Sequence, residues 1–240
     1  MQFLTRIPLA AREAPSAWDL RWAAACYSLV GLLIGVGAAA VYTACVAFLP
    51  ASASIVLVLL FTIAVTGALH EDGLADCADG FAGARERGRV LEIMRDSRIG
   101  TFGALAVVFA ILLKFTLLTS LGQRDVVRVL IIAPVLSRWL VVPLAMVVRP
   151  ARPDGLGSAF AGHVGAAQVL VSAIPAVISG GALFQMSFVT LAAGATSTVA
   201  LFGWYCHRRI GGITGDCLGA AIQLAELTTY LVLVALSQSP

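Results

Sequence analysis

Residues 54–81 read SIVLVLLFTIAVTGALHEDGLADCADGF, an apolar run that ends at His70 in four carboxylates, Glu71, Asp72, Asp76 and Asp79. A bilayer core accepts about 20 apolar residues per helix, and runs of this kind recur along the whole 240 residues. Composition agrees: 60% of residues are hydrophobic, 12% are charged and the mean hydropathy is +0.94, well outside the soluble range. Apolar runs at 22–48, 53–69, 101–121, 127–148, 164–185, 187–206 and 217–236 predict an all-α fold. It is a polytopic transmembrane helical bundle of about seven spans, six to eight at the limits, forming one integral-membrane domain over 1–240. Prolines and glycines inside these runs are tolerated in lipid.

Working outward, the arginines sort by side. Loops rich in Lys and Arg stay on the cytoplasmic face. Alternating from the N-terminus, one side collects Arg6, Arg12, Arg21, Arg85, Arg87, Arg89, Arg95, Arg98, Arg149, Arg152, Arg208 and Arg209. The other receives PASAS, GGALFQMS and SQSP, with GQRDVVR as the exception. The expectation is a multi-pass protein of the cell (inner) membrane, with the N-terminus and the acidic stretch cytoplasmic and the C-terminus outside. The first 20 residues lack the apolar core of a signal peptide and are read as part of the mature chain. A formal charge of +3 without a basic run interleaved with aromatics excludes nucleic acid as a partner. The five cysteines, Cys26, Cys45, Cys77, Cys206 and Cys217, lack the spacing of a zinc site or disulfide framework and read as packing residues.

If the second span continues as helix through the acidic stretch, Asp72, Asp76 and Asp79 fall at i, i+4 and i+7, on one face. Glu71 lies about 100° round from Asp72 and reaches that face only from its edge. Like charges so placed repel, and a hard divalent cation, Mg²⁺ or else Mn²⁺, is the fitting counter-charge. His70 as the only nearby imidazole argues against zinc or copper. The simpler alternative is a solvated helix end balanced by downstream arginines.

The next segment, AGARERGRVLEIMRDSRIGTFGAL, predicts an interfacial helix covering Val90, Leu91, Ile93 and Met94. Arg95 and Arg98 flank Asp96 in RDSR, and guanidinium groups bind phosphate bidentately. In GGITGDCLGA, residues 211–220, the glycines let backbone approach a ligand. Thr214 and Asp216 precede a helix N-terminus, which favours anions; an N-cap role for Asp216 is the plain alternative. Lys114, Arg138 and Glu226 fall inside predicted spans and must face partners or a polar cavity.

FLTRIP at 3–8, HEDGLADCADGFAG at 70–83, LEIMRDSRIGTFG at 91–103, LLK at 112–114 and GGITGDCLGA together resemble, in order and over nearly the whole chain, the motif set of the cobalamin synthase family. This is the adenosylcobinamide-GDP ribazoletransferase of bacteria and archaea. The resemblance implies a Mg²⁺-dependent transferase that joins adenosylcobinamide-GDP to α-ribazole, or its 5′-phosphate, with release of GMP in late vitamin B12 nucleotide-loop assembly. On this expectation Glu71, Asp72, Asp76 and Asp79 hold the metal, and Asp79 or Asp96 takes the hydroxyl proton. Arg6, His70, Arg95, Arg98, Lys114, Arg138, Thr214 and Asp216 contact the substrates. The lipid bilayer is a partner, and a homo-oligomer is compatible with the sequence.

Two other readings compete. A CDP-alcohol phosphotransferase pattern begins at Asp76, Asp79 and Gly80, but Ala84-Arg85 comes one position late and its closing aspartate pair is missing. A cation-coupled transporter calls for acids near mid-bilayer and inverted repeats, whereas these acids gather at one side and no repeat is visible.

Overall fold

The computed structural model describes residues 22–153 and 164–238. Nine helices follow one another there: α1 Tyr27–Val46, α2 Ala51–Thr66, α3 Leu69–Gly83, α4 Arg87–Ile93, α5 Thr101–Thr119, α6 Gln123–Val147, α7 Ala166–Phe184, α8 Ser187–Ile210 and α9 Gly215–Ser237. The seven apolar runs coincide with α1, α2 and α5–α9. Six helices are by themselves long and apolar enough to cross a membrane, and the pair α2–α3 brings the number to as many as seven. The chain is a polytopic helical bundle and a multi-pass membrane protein.

One expectation is corrected. The second span does not continue as one helix through the acidic stretch: α2 and α3 meet at 86°. The break lies at Gly67 and Ala68, whose backbones are left-handed, with φ of 66° and 60°. Such residues cannot extend a right-handed helix. Asp72, Asp76 and Asp79 keep their i, i+4, i+7 relation, but on α3, a separate helix lying across the direction of α2.

The interior is set by α6 and α9. In their apolar windows 78% and 67% of residues are buried, against 22% to 39% in α1, α5, α7 and α8, which turn wide apolar faces outward as lipid requires. Small residues let helices meet closely where lipid removes the usual hydrophobic drive. Gly31 and Gly35, one turn apart on α1, seat it directly on α6, where a Cβ at Gly35 would fall 2.7 Å from the Leu130 carbonyl oxygen. Pro134 has no N–H to occupy that carbonyl. The turn between α7 and α8 is two residues long, and the Phe188 ring covers Gly180.

At one end of the bundle three connections come together over α3. α4 docks through Val90 and Met94, both buried, with the Met94 side chain lying against Gly80. The helix within the predicted interfacial segment is short, the seven residues Arg87–Ile93. Pro150 and Ile213 form a parallel bridge: the Ala151 N–H donates to the Ile213 carbonyl at 2.8 Å, and the Ile213 N–H to the Arg149 carbonyl at 3.0 Å. Arg209 donates to the carbonyls of Phe81 and Ala84 at 3.0 and 2.7 Å, tying down the C-terminus of α3. Arg128, of the exceptional GQRDVVR stretch and helical at the start of α6, lies 4.4 Å over the Phe184 ring at the far end of α7 and pairs with Asp125 at 2.9 Å.

Candidate active site

α3 presents two faces, and the structure divides the acidic stretch between them. On the outer face Asp72 and Asp76 meet Asp216 from the first turn of α9. The helices approach through glycine on both sides. A Cβ at Gly73 would fall 2.7 Å from the Asp216 carbonyl oxygen, and one at Gly219 would fall 3.3 Å from the Leu69 carbonyl oxygen. Half-buried Asp76 records the crowding. Burial, and then the charges of Asp72, Asp216 and Asp79, push its carboxyl up to about 7, against the opposing influence of Arg152. A carboxylate with a proton affinity near neutrality is matched to general-base work.

Asp79 is held differently. Its two oxygens accept from the N–H groups of Gly100, at 2.7 Å, and Gly103, at 2.8 Å. These are the N-cap and third residues of α5, so Asp79 caps that helix from outside it. A Cβ at either glycine would strike the carboxylate, which accounts for both glycines of IGTFG.

Asp96, the other sequence-based choice for the proton acceptor, is a surface group. Arg98 donates to it from Nε at 3.0 Å, from Nη2 at 2.6 Å and from its backbone N–H at 3.1 Å. Those hydrogen bonds pull the Asp96 carboxyl down to about 2, which makes it a weak base. Arg98 is 87% exposed and occupied by this pairing, not poised over the aspartates.

On the inner face of α3, His70 and Glu71 enter a buried network. Glu226 accepts from Lys114 Nζ at 2.7 Å and from Arg138 Nη1 at 2.9 Å. Arg138 Nη2 lies 3.4 Å from His70 Nδ1, and Glu71 accepts from Gln223 at 2.9 Å. The Arg138 guanidinium can only donate, so His70 Nδ1 is the acceptor there. The cavity among these groups is about 20 Å³, room for a water molecule and far below the size of a substrate pocket. Glu71 is thereby parted from the aspartates. His70, Lys114 and Arg138 are thus engaged with one another through Glu226 across four helices, while His70 Nε2, Glu71 Oε2 and Arg138 Nε are buried without a hydrogen-bond partner among the described residues.

GGITGDCLGA is likewise corrected in detail. Gly211, with φ of +74°, ends α8, and Gly212 lies against the backbone of Arg149–Ala151. These glycines admit another stretch of chain instead of a ligand. Thr214, not Asp216, is the N-cap of α9, accepting from the Cys217 N–H at 3.2 Å. Its buried hydroxyl also donates to Asp216 at 3.1 Å, which orients that carboxylate toward α3. Three cysteines scattered in sequence are buried beneath the site, with Cys77 and Cys217 sulfurs 3.9 Å apart. Arg6 lies outside the described residues.

Two features escape the sequence reading. Asp216 is grouped there with substrate contacts, but it faces Asp72 and Asp76 across a separation of some 140 positions. Arg152, counted only among the sidedness arginines, stands close enough for its charge to bear on Asp76 and Asp216. No local motif marks it.

Among the described residues no three His, Cys, Asp or Glu side chains close into a metal cage. Carboxylates from two helices, mutually repelling but open on one side, suit a hard cation that keeps waters and binds through one or two acids plus a ligand's phosphates. They do not suit a closed zinc site.

The sequence profile described as Cobalamin-5-phosphate synthase matches residues 1–234. An adenosylcobinamide-GDP ribazoletransferase of Clostridium kluyveri is 38% identical over 237 residues, covering 97% of this chain and 93% of that protein. The enzyme of the same name from Clostridium tetani is 35% identical over 241 residues, covering 98% and 94%. That from Clostridium botulinum is 36% identical over 235 residues, covering 98% and 95%. No solved structure matches the chain. With its helices, its acidic site and these long matches in agreement, the chain belongs to the cobalamin-5-phosphate synthase family.

Proposed function

We propose that this chain is an adenosylcobinamide-GDP ribazoletransferase, which joins adenosylcobinamide-GDP to α-ribazole or α-ribazole 5′-phosphate and releases GMP. The observation that carries this reading at the level of chemistry is the meeting of Asp72 and Asp76 with Asp216 at the end of the bundle where the arginine-bearing connections converge. Membership of the family supports nucleotide-loop assembly as the setting of that chemistry.

The ribazole 3′-oxygen bonds to the phosphorus nearer the cobinamide, and the bond from that phosphorus to the GMP oxygen breaks. Asp72 and Asp216 would hold Mg²⁺, or Mn²⁺ in its place, and the ion would supply charge neutralisation at the diphosphate. Asp76 stands between those carboxylates and accepts the 3′-hydroxyl proton; its raised proton affinity and half-buried position support this role over Asp79 or Asp96. Thr214 keeps Asp216 turned toward α3. Asp79 positions α5, and through it the rim of the site, by capping. The bundle end excludes bulk water from one side of the reacting groups, which favours transfer over hydrolysis.

The arginine distribution supports a cytoplasmic site, an N-terminus inside and a C-terminus outside the inner membrane. The test is GMP release by purified protein in lipid. Release requires adenosylcobinamide-GDP, α-ribazole and Mg²⁺ together, with CDP-activated alcohols run beside them as competing donors. Equal turnover of a CDP-alcohol pair, or undiminished activity in EDTA, would overturn the substrate or the metal assignment respectively.

A further inference from the structure

Beside the carboxylates, between α4 and the segment that follows α6, opens a surface cavity of about 410 Å³ whose charged lining is Arg87, Glu92, Arg95 and Arg152. Its acidic member, Glu92, turns to Arg89, outside the lining, at 2.7 Å. Two of the guanidinium groups are fixed by neutral acceptors. Arg87 donates to the Ala151 carbonyl at 2.9 Å and Arg152 to the Leu91 carbonyl at 2.8 Å. The two bonds run in opposite directions across the cavity, so each wall holds the other's arginine. Neither arginine forms an ion pair with a carboxylate among the described residues. The Arg152 Nε, although buried, has no hydrogen-bond partner.

A carbonyl orients a guanidinium without neutralising it, and a pre-oriented guanidinium presents paired donors to a phosphate. Leu91 and Pro153 give the cavity an apolar wall. Its volume is that of a small-molecule site, enough for a phosphate with its sugar and too little for a corrin ring.

We propose that this cavity is a phosphate-binding subsite contiguous with the aspartates, and that Arg152, which reaches both, is its specificity-determining residue. The proposal rests on the transferase reading for the identity of its ligand. Two phosphates qualify: the 5′-phosphate of a phosphorylated acceptor and the phosphate of the GMP moiety.

The experiment measures equilibrium binding of α-ribazole 5′-phosphate, α-ribazole and GMP to the full chain in phosphatidylcholine nanodiscs. Wild type is compared with Arg152→Gln, Arg152→Lys and Arg87→Gln, and steady-state kinetics follow on the same samples. Loss of a charged hydrogen-bond donor weakens the phosphorylated ligand by at least about tenfold, and lysine restores part of the loss. An acceptor site shows weakened α-ribazole 5′-phosphate with unchanged α-ribazole; a donor site shows weakened GMP. In either case KM for that substrate rises more than kcat falls.

Unchanged binding of both phosphorylated ligands overturns the proposal, as does a fall in kcat alone. Displacement of the ligands by phosphatidylglycerol added to the nanodiscs would assign the cavity to lipid headgroups and overturn it too. If Arg152→Gln fails to fold, Arg87→Gln carries the same comparison. A wild type that binds phosphate here yet releases no GMP would sink the transferase reading and leave the subsite standing.

Discussion

Asp79 gives both oxygens to the amides of Gly100 and Gly103, while Asp76, three residues earlier on the same helix, is pushed up to about 7. Equal residue types at helical spacing therefore carry different duties, and substitutions separate them. Asp76→Asn should lower kcat by at least about 10²-fold, the lower range for a general base, with little change in melting temperature. Asp79→Asn should mainly destabilise, by about 1–3 kcal/mol, through the weakened cap. Asp96→Ala should leave kcat within about twofold, because a surface carboxylate held near 2 by Arg98 is no proton acceptor at neutral pH. The pH profile follows from the sign of the Asp76 shift. Below about 7 the raised affinity keeps it protonated and unable to accept a proton, so kcat/KM should fall as pH drops through that region. Bound Mg²⁺ should move the inflection lower, and Asp76→Asn should abolish it. The division between Asp76 and Asp79 is not legible in the acidic motif, since the amides that engage Asp79 lie 21 and 24 residues away.

At the scale of elements, α3 is fastened on both faces. Gly73 and Gly219 set its crossing with α9, and His70 and Glu71 lock it to the Lys114–Glu226–Arg138 network. Glu226→Ala should cost about 3–5 kcal/mol, the penalty of leaving buried cations unpaired, read as lowered thermal stability in detergent. Gly73→Val should drive the helices apart and lower kcat along with stability. The existence and order of the spanning helices are legible, because an apolar run of membrane length has few alternatives. The turn from α2 into α3 is not. Gly67 is a common helix terminator, but left-handed Ala68 (φ 60°) is a conformation its residue type disfavours, held by packing. Ala68→Gly should accordingly raise stability by about 1 kcal/mol without altering the bend. Lys114, Arg138 and Glu226 are legible as buried charges in need of partners, but which partners depends on how four helices face one another.

For the whole molecule, the predicted arrangement is checked by a reporter fused after Pro240, which should read out on the side opposite the site; a cytoplasmic signal would reverse the assigned orientation. The short length of α2 carries a consequence for the surrounding bilayer. Its 16 residues rise about 24 Å, against a hydrocarbon core of about 30 Å, and the helix ends in the sharp turn to acidic α3. Lipid beside it must thin, or headgroups and water must dip toward the aspartates, so that the depth at which substrates meet the protein depends on acyl-chain length. Hydrophobic mismatch of this kind costs fractions of a kcal/mol per Å. Turnover should therefore be higher in bilayers of short-chain phosphatidylcholine than in long-chain ones at equal fluidity, making membrane thickness a determinant of the rate.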